Sequence, residues 1–160
     1  ILFLLGRTAE SRDFLEEIIA RDPTYPAPRY TLAFIALADA DYPAYLDNYA
    51  AFGDALGLAR YREAADAGRT VLSGGVRAMA EAMAKVEIAH YERGEALAYD
   101  VARHFAIAGR TGEALSWLRI SRGRHEPRLS GLLADPAFQP MRGEAGLAEL
   151  LAAIGLPAET

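Results

Sequence analysis

Apolar residues recur along this chain at intervals of three and four, the spacing that gathers side chains on one face of a helix. The segment SRDFLEEIIA sets Phe14, Leu15, Ile18 and Ile19 on one side. DYPAYLDNYAAFGDAL carries Tyr45, Tyr49, Phe52 and Leu56 at steps of four, three and four. VRAMAEAMAKVEIAH carries Val76, Met79, Met83 and Val86 at steps of three, four and three. GEALSWLRIS adds Leu115, Leu118 and the neighbouring Trp117 and Ile120. Charged residues mostly occupy the opposite faces, and no stretch sustains the alternation of a half-buried strand. Pro43 stands where a first helical turn tolerates proline, while Pro26 and Pro28 fall in or just after a loop. The pattern predicts an all-α chain.

The interruptions of that pattern are themselves periodic. Breakers fall at Gly6, around Ala40 and Asp41, at Gly74 and at Gly109, with spacings of 34, 34 and 35 residues. A second series lies between them, at Pro23, Gly57, Gly94 and Pro127, spaced by 34, 37 and 33. Two interleaved series with one period predict a repeating helix-turn-helix unit. The stretch AIAGRTGEALSWL fits this scheme. Its Gly-Arg-Thr-Gly could cradle a phosphate, but a phosphate loop needs a preceding strand and a Gly-Lys-Ser/Thr ending. A near copy, GRTAES, occupies residues 6–11, so both are expected to be turns.

A helix pair of about 34 residues has the size of a tetratricopeptide repeat. In AYDVARHFAIAGRTGEALSWLRISRGRHEP, the small Ala102 and Ala114, the aromatic Phe105, the turn Gly109 and the bulky Leu118 fall where that family's pattern wants them. Pro127 comes one residue late. LLGRTAESRDFLEEIIARDP resembles the second half of another repeat through Gly6, Leu15, Ile18 and Asp22-Pro23. The middle repeats are looser: Tyr45 replaces a small residue, and Gly68 falls inside a helix. The tail, RLSGLLADPAFQPMRGEAGLAELLAAIGLP, reads as a short apolar helix, a break at Asp135-Pro136, a Phe138 anchor and a last helix through Leu147, Leu150, Leu151 and Ile154. With LADPAFQPMR it resembles the C-terminal ends of repeat domains in bacterial multidomain regulators. The resemblance implies an α-solenoid of repeats over residues 1–127 with the first one truncated, closed by capping helices over 128–160, in a single structural domain. ILFLLG reads as the last turns of a helix that begins before Ile1.

Composition narrows the chemistry. The 160 residues, 52% hydrophobic and 24% charged, suit a folded chain, and the formal net charge of -5 argues against general affinity for nucleic acid or anionic membrane. There is no cysteine, which excludes disulfides, thiolate metal sites and cysteine nucleophiles. No stretch reaches the length of a membrane span. Glu87 and His90 form a Glu-x-x-His pair, and Asp100 and His104 follow at a four-residue step. A helical di-metal site needs a second such pair and further carboxylates, and His125 falls in a loop, so no metal or cofactor is expected. The serines lie in LSGG, LSWL, ISRG and LSGL, never in a hydrolase elbow. Arg119, Arg122, Arg124 and Arg128 crowd one short run, which reads as a basic helix C-terminus rather than a phosphate contact.

No catalytic constellation emerges, and the expectation is a non-catalytic interaction or sensory module in the cytoplasm, or in the periplasm if its parent is membrane-anchored. Its partner would be a protein or peptide, or a second copy of the chain. In tetratricopeptide arrays the first helix of each pair lines the concave groove. The resemblance carries that role to Tyr30 and Phe34, to Tyr61, and to Tyr99 and Arg103. Aromatic and Arg side chains are the types that concentrate binding energy at interfaces. The rival expectations are a dimerising or autoinhibitory domain and a helical small-molecule sensor.

Overall fold

The computed structural model describes residues 6–157, and among them every regular element is helical. The chain divides into two compact units, Ile1–Thr70 and Val71–Thr160. The expected helix end at residues 1–5 lies outside the described residues.

The first unit contains α1 (Thr8–Arg21), α2 (Pro26–Ala38), α3 (Tyr42–Leu56) and most of α4 (Ala59–Val71). Local chemistry sets the boundaries. Asp22 ends α1, and its carboxylate accepts hydrogen bonds from the Thr24 amide at 3.0 Å and the Thr24 hydroxyl at 2.7 Å, fixing the turn into α2. Pro26 and Pro28 lie in the first turn of α2, where a missing amide hydrogen costs nothing. Asp41 caps α3 by accepting from the Ala44 amide, with Pro43 in the opening turn. Tyr45, Tyr49 and Phe52 are buried as the periodicity requires, while Leu56 is exposed. On α1, Ser11 is buried, Leu15, Ile18 and Ile19 are half-covered, and Phe14 is 57% exposed, because that helix packs along α2 through one edge only.

The second unit contains a short 3-10 turn (Leu72–Gly74), α5 (Val76–Glu92), α6 (Ala98–Ile107), α7 (Thr111–Gly123) and α8 (Ala145–Ala153). Two further 3-10 segments, Pro127–Gly131 and Pro136–Met141, separate α7 from α8. The segment expected as a short apolar helix is the first of these, held to the tighter form by its Pro and Gly. Ala102 on α6 and Ala114 on α7 have no exposed surface, so these helices pack closely around Leu118. Phe138 is buried as an anchor, and Leu147, Leu150 and Leu151 of α8 turn inward.

Three of the four breakers in the first series share one turn geometry; Gly74 departs from it, being followed by an N-cap, Gly75, at 91/174°. Gly6, Ala40 and Gly109 all have left-handed backbone, with φ of 74, 56 and 71°. The residue after each is a helix N-cap with nearly the same dihedrals: Arg7 at -88/58°, Asp41 at -84/78° and Arg110 at -96/69°. GRTAES and GRTGEA match further, since Arg7 pairs with Glu10 and Arg110 with Glu113 at the same offset. Both stretches are helix-to-helix turns. The Ala40 and Gly109 turns each return an amide to the carbonyl five residues back, Asp41 to Ala36 at 2.8 Å and Arg110 to Phe105 at 2.9 Å. The fold is therefore helical and repeat-like in its local geometry.

Candidate functional site

In the first unit the predicted groove residues belong to a row of aromatic rings. Tyr30 and Phe34 sit one turn apart on α2 with centroids 4.5 Å apart, and Tyr30 lies 4.8 Å from Phe52 of α3. Phe52 and Tyr49 each meet Tyr61 of α4 at 5.0 Å, edge to face. Tyr30 and Phe34 are half-buried and keep part of their surface in solvent. Tyr61 has none there: the Arg60 guanidinium lies 4.0 Å over its ring and donates to its hydroxyl at 2.7 Å. The row thus runs from an interior end at Tyr61 to a solvent-facing end at Tyr30 and Phe34.

Besides Phe14, other large apolar groups of this unit are exposed: Tyr25 at 49%, Leu56 and Leu58. Residues 1–70 contain 7 Arg and 11 Asp or Glu, giving this unit a net charge of -4. Its surface therefore combines apolar contact area with excess negative charge.

The second unit holds Tyr99 and Arg103, and both are interior, 2% and 1% exposed. They converge on one carboxylate, Asp135. It accepts from the Tyr99 hydroxyl at 3.1 Å, from Arg103 Nε at 3.0 Å and from the Ala137 amide at 3.0 Å. Asp135 thereby caps the Pro136–Met141 turn while neutralising a buried guanidinium. The edge of Tyr99 meets the Phe138 ring at 5.4 Å. These side chains tie α6 to the tail.

A second carboxylate does related work. Leu97 precedes α6 and offers no side-chain cap. Glu126, 28 residues beyond Ala98, supplies one: its two oxygens accept from the amides of Ala98 at 2.9 Å and Tyr99 at 3.0 Å. Ser121 adds a hydroxyl bond at 2.7 Å. A carboxylate at a helix N-terminus also meets the positive end of the helix dipole. Sequence reasoning missed Glu126 and Asp135, because no local spacing links a cap to a helix that distant.

The candidate metal ligands are dispersed. Glu87 and His90 are buried on α5, where His90 Nδ1 lies 2.8 Å from Glu95, and Arg93 donates to the same Glu95 oxygen at 3.0 Å. His90 first and Arg93 second hold the Glu95 carboxyl below its ordinary range. Asp100 pairs with Arg128, and His104 is buried. Among the described residues no three His, Asp or Glu side chains gather as a metal site. The basic run is divided likewise: Arg128 engages Asp100, Arg124 lies 4.5 Å over the Tyr91 ring, and Arg119 and Arg122 are exposed. Among the described residues no helix is long and apolar enough to cross a membrane. No protein-family model, curated protein or solved structure matches this chain.

Proposed function

We propose that the protein is a non-catalytic interaction module whose helix pairs stack as a tetratricopeptide-like array, and that it works as the C-terminal part of a bacterial regulator. The observation that carries this reading is the character of the first unit. It exposes Phe14, Tyr25, Leu56 and Leu58, leaves part of Tyr30 and Phe34 in solvent, and carries a net charge of -4. Such a surface suits a partner segment that offers apolar side chains among Lys and Arg, since burying the apolar area drives association and the charges steer it.

The side chains best equipped for catalysis support the same reading from the other side. Asp135, Glu126, Asp100 and Arg103 are occupied in holding the second unit together. A general acid or base has to reach a substrate proton, and groups already bonded in the interior do not.

Affinity capture tests the proposal, with the wild-type chain beside a variant carrying Phe14→Ser, Tyr30→Ala and Phe34→Ala. Circular dichroism first establishes equal helicity. The expected result is a basic protein retained by the wild type and lost from the variant, with the wild type sedimenting alone as a monomer. Equal retention by both baits contradicts a partner site in the first unit. A wild-type dimer that the triple variant converts to monomer assigns the surface to self-association instead.

A further inference from the structure

The second unit contains a cleft of ≈ 560 Å³ between the end of α7, the Pro127–Gly131 turn and the last turn of α8. Its lining is of two kinds. Arg122, His125 and Ser130 offer polar hydrogen-bonding groups, whereas Pro127, Leu129 and Ile154 offer apolar walls. Glu126 borders it too, but its carboxylate oxygens accept from the Ala98 and Tyr99 amides and the Ser121 hydroxyl. That charge is compensated by the N-terminus of α6, which leaves Arg122, exposed, as the cationic residue of the lining.

His125 singles this cleft out. It closes α7 in left-handed backbone at φ 54°, with its amide bonded to Arg122 O at 3.0 Å and the Glu126 amide returned to Ser121 O at 3.1 Å. The same closure ends α3, α5, α6 and α8, and there Gly57, Gly94, Gly109 and Gly155 take the strained position. Glycine adopts that conformation at far lower cost than any residue with a Cβ. Ala40 is the other exception, and its methyl group carries no chemistry. Histidine enters left-handed backbone more readily than most residues with a Cβ, and this turn sets His125 at the edge of the cleft, three positions after Arg122 in its lining.

We infer that this cleft binds a small carboxylate amphiphile, with Arg122 and His125 on the carboxylate and Leu129 and Ile154 against the aliphatic part. The guanidinium fork matches the two oxygens of a carboxylate. The volume lies within the usual range of small-molecule sites, roughly 300–1,000 Å³. The site belongs to the second unit and stands independently of the partner surface proposed for the first.

Isothermal titration of the full chain with sodium octanoate tests it, with octan-1-ol and octyltrimethylammonium as probes lacking the carboxylate. The expected result is saturable binding of octanoate alone, at least tenfold weaker in Arg122→Gln and in His125→Gly. Arg119→Gln, which alters the neighbouring charge outside the cleft lining, leaves it unchanged. His125→Gly relieves the backbone and melts at a higher temperature than the wild type, so weaker binding in that variant cannot come from unfolding. Absence of saturable octanoate binding, equal binding of octanol, or full affinity retained by either cleft variant overturns the inference.

Discussion

The two units of this chain spend their polar groups differently. In the first, the buried side chains are overwhelmingly apolar and aromatic, with Ser11 and Arg60 the polar exceptions among the described residues. Several of its ion pairs lie at the surface: Arg62 with Asp54, Arg69 with Asp47 and Asp66, Arg12 with Asp39. In the second, Glu87, His90, Asp100, Arg103, His104, Ser121, Glu126 and Asp135 are all buried. Four of the chain's five net negative charges fall in the first unit, where charge meets exposed apolar surface. Burial of polar groups specifies contacts only when each is bonded, so the second unit has committed these eight groups inward, leaving Arg122, His125 and Ser130 at its surface. The first has left its surface available.

The largest expected effect tests the inward commitment. Asp135→Ala removes an ion-pair partner of Arg103, a pair of which both side chains are 1% exposed, together with the acceptor for the Tyr99 hydroxyl and the Ala137 amide. A loss of about 3–5 kcal/mol in unfolding free energy follows. Denaturant titration measures it, and amide exchange should rise first in 98–107 and 136–141. A loss below about 1 kcal/mol would mean that the network contributes little and that the contrast between the units is one of appearance.

Gly53→Ala probes the aromatic packing of the first unit. A Cβ at that position would collide with the Tyr61 Cβ and come within 2.9 Å of the Leu58 carbonyl oxygen. Neither neighbour is a flexible chain end, so overpacking should cost about 1–3 kcal/mol. The tyrosine near-ultraviolet signal should change with it. Wild-type stability in this variant would show that α3 and α4 separate more readily than the ring row implies.

Ala40→Gly should act in the opposite direction. Ala40 holds φ of 56° in the turn that Gly109 makes with glycine, and relief of that strain is worth about 0.5–1 kcal/mol. Thermal melting reads the gain. The reverse change, Gly109→Ala, should lose a similar amount, which makes the pair an internal test of the repeat geometry.

These turns also show what the sequence made legible and what it hid. The helices are readable because a 3.6-residue period survives substitution, and Met79, Met83, Leu118 and Leu150 are buried where it puts them. Ala40 is not a helix breaker by residue type; only its distance from Gly6 and Gly109 identifies it. The groove residues illustrate the opposite case. Tyr and Arg serve interfaces and interiors equally well, and Tyr61, Tyr99 and Arg103 are interior while Tyr30 and Phe34 reach solvent. Residue type could not separate these, because the partners that bury Arg103 and Tyr99 arrive from Asp135, 32 and 36 positions away. Phe14 is the reverse case: it has the right spacing for a core, but among the described residues it stays 57% exposed.

The smallest expected effect concerns pH. Arg62 holds the Asp54 carboxyl below its ordinary range through a hydrogen bond, and the Thr24 hydroxyl and amide do the same for Asp22. A carboxyl lowered in the folded state stabilises it fully above its unfolded pKa and loses that contribution as pH falls through the folded value. The midpoint of unfolding should be flat near neutrality and decline in acid, slightly less steeply in Asp54→Asn. Because Asp54 and Arg62 are half exposed, 0.5 M salt should erase most of that difference.

The first unit thus offers the surface for a macromolecular partner, while the buried polar network of the second holds that unit together. Site-specific photocrosslinking in the source cells tests this division most directly, with benzoylphenylalanine replacing Phe14, Phe34 or Ile120 in turn. Ile120 is the control because it is an exposed apolar residue of the second unit, 39% accessible. One common adduct is expected at positions 14 and 34, and none at 120. An adduct at 120 with silence at 14 and 34 would contradict this division and place the working surface on α7.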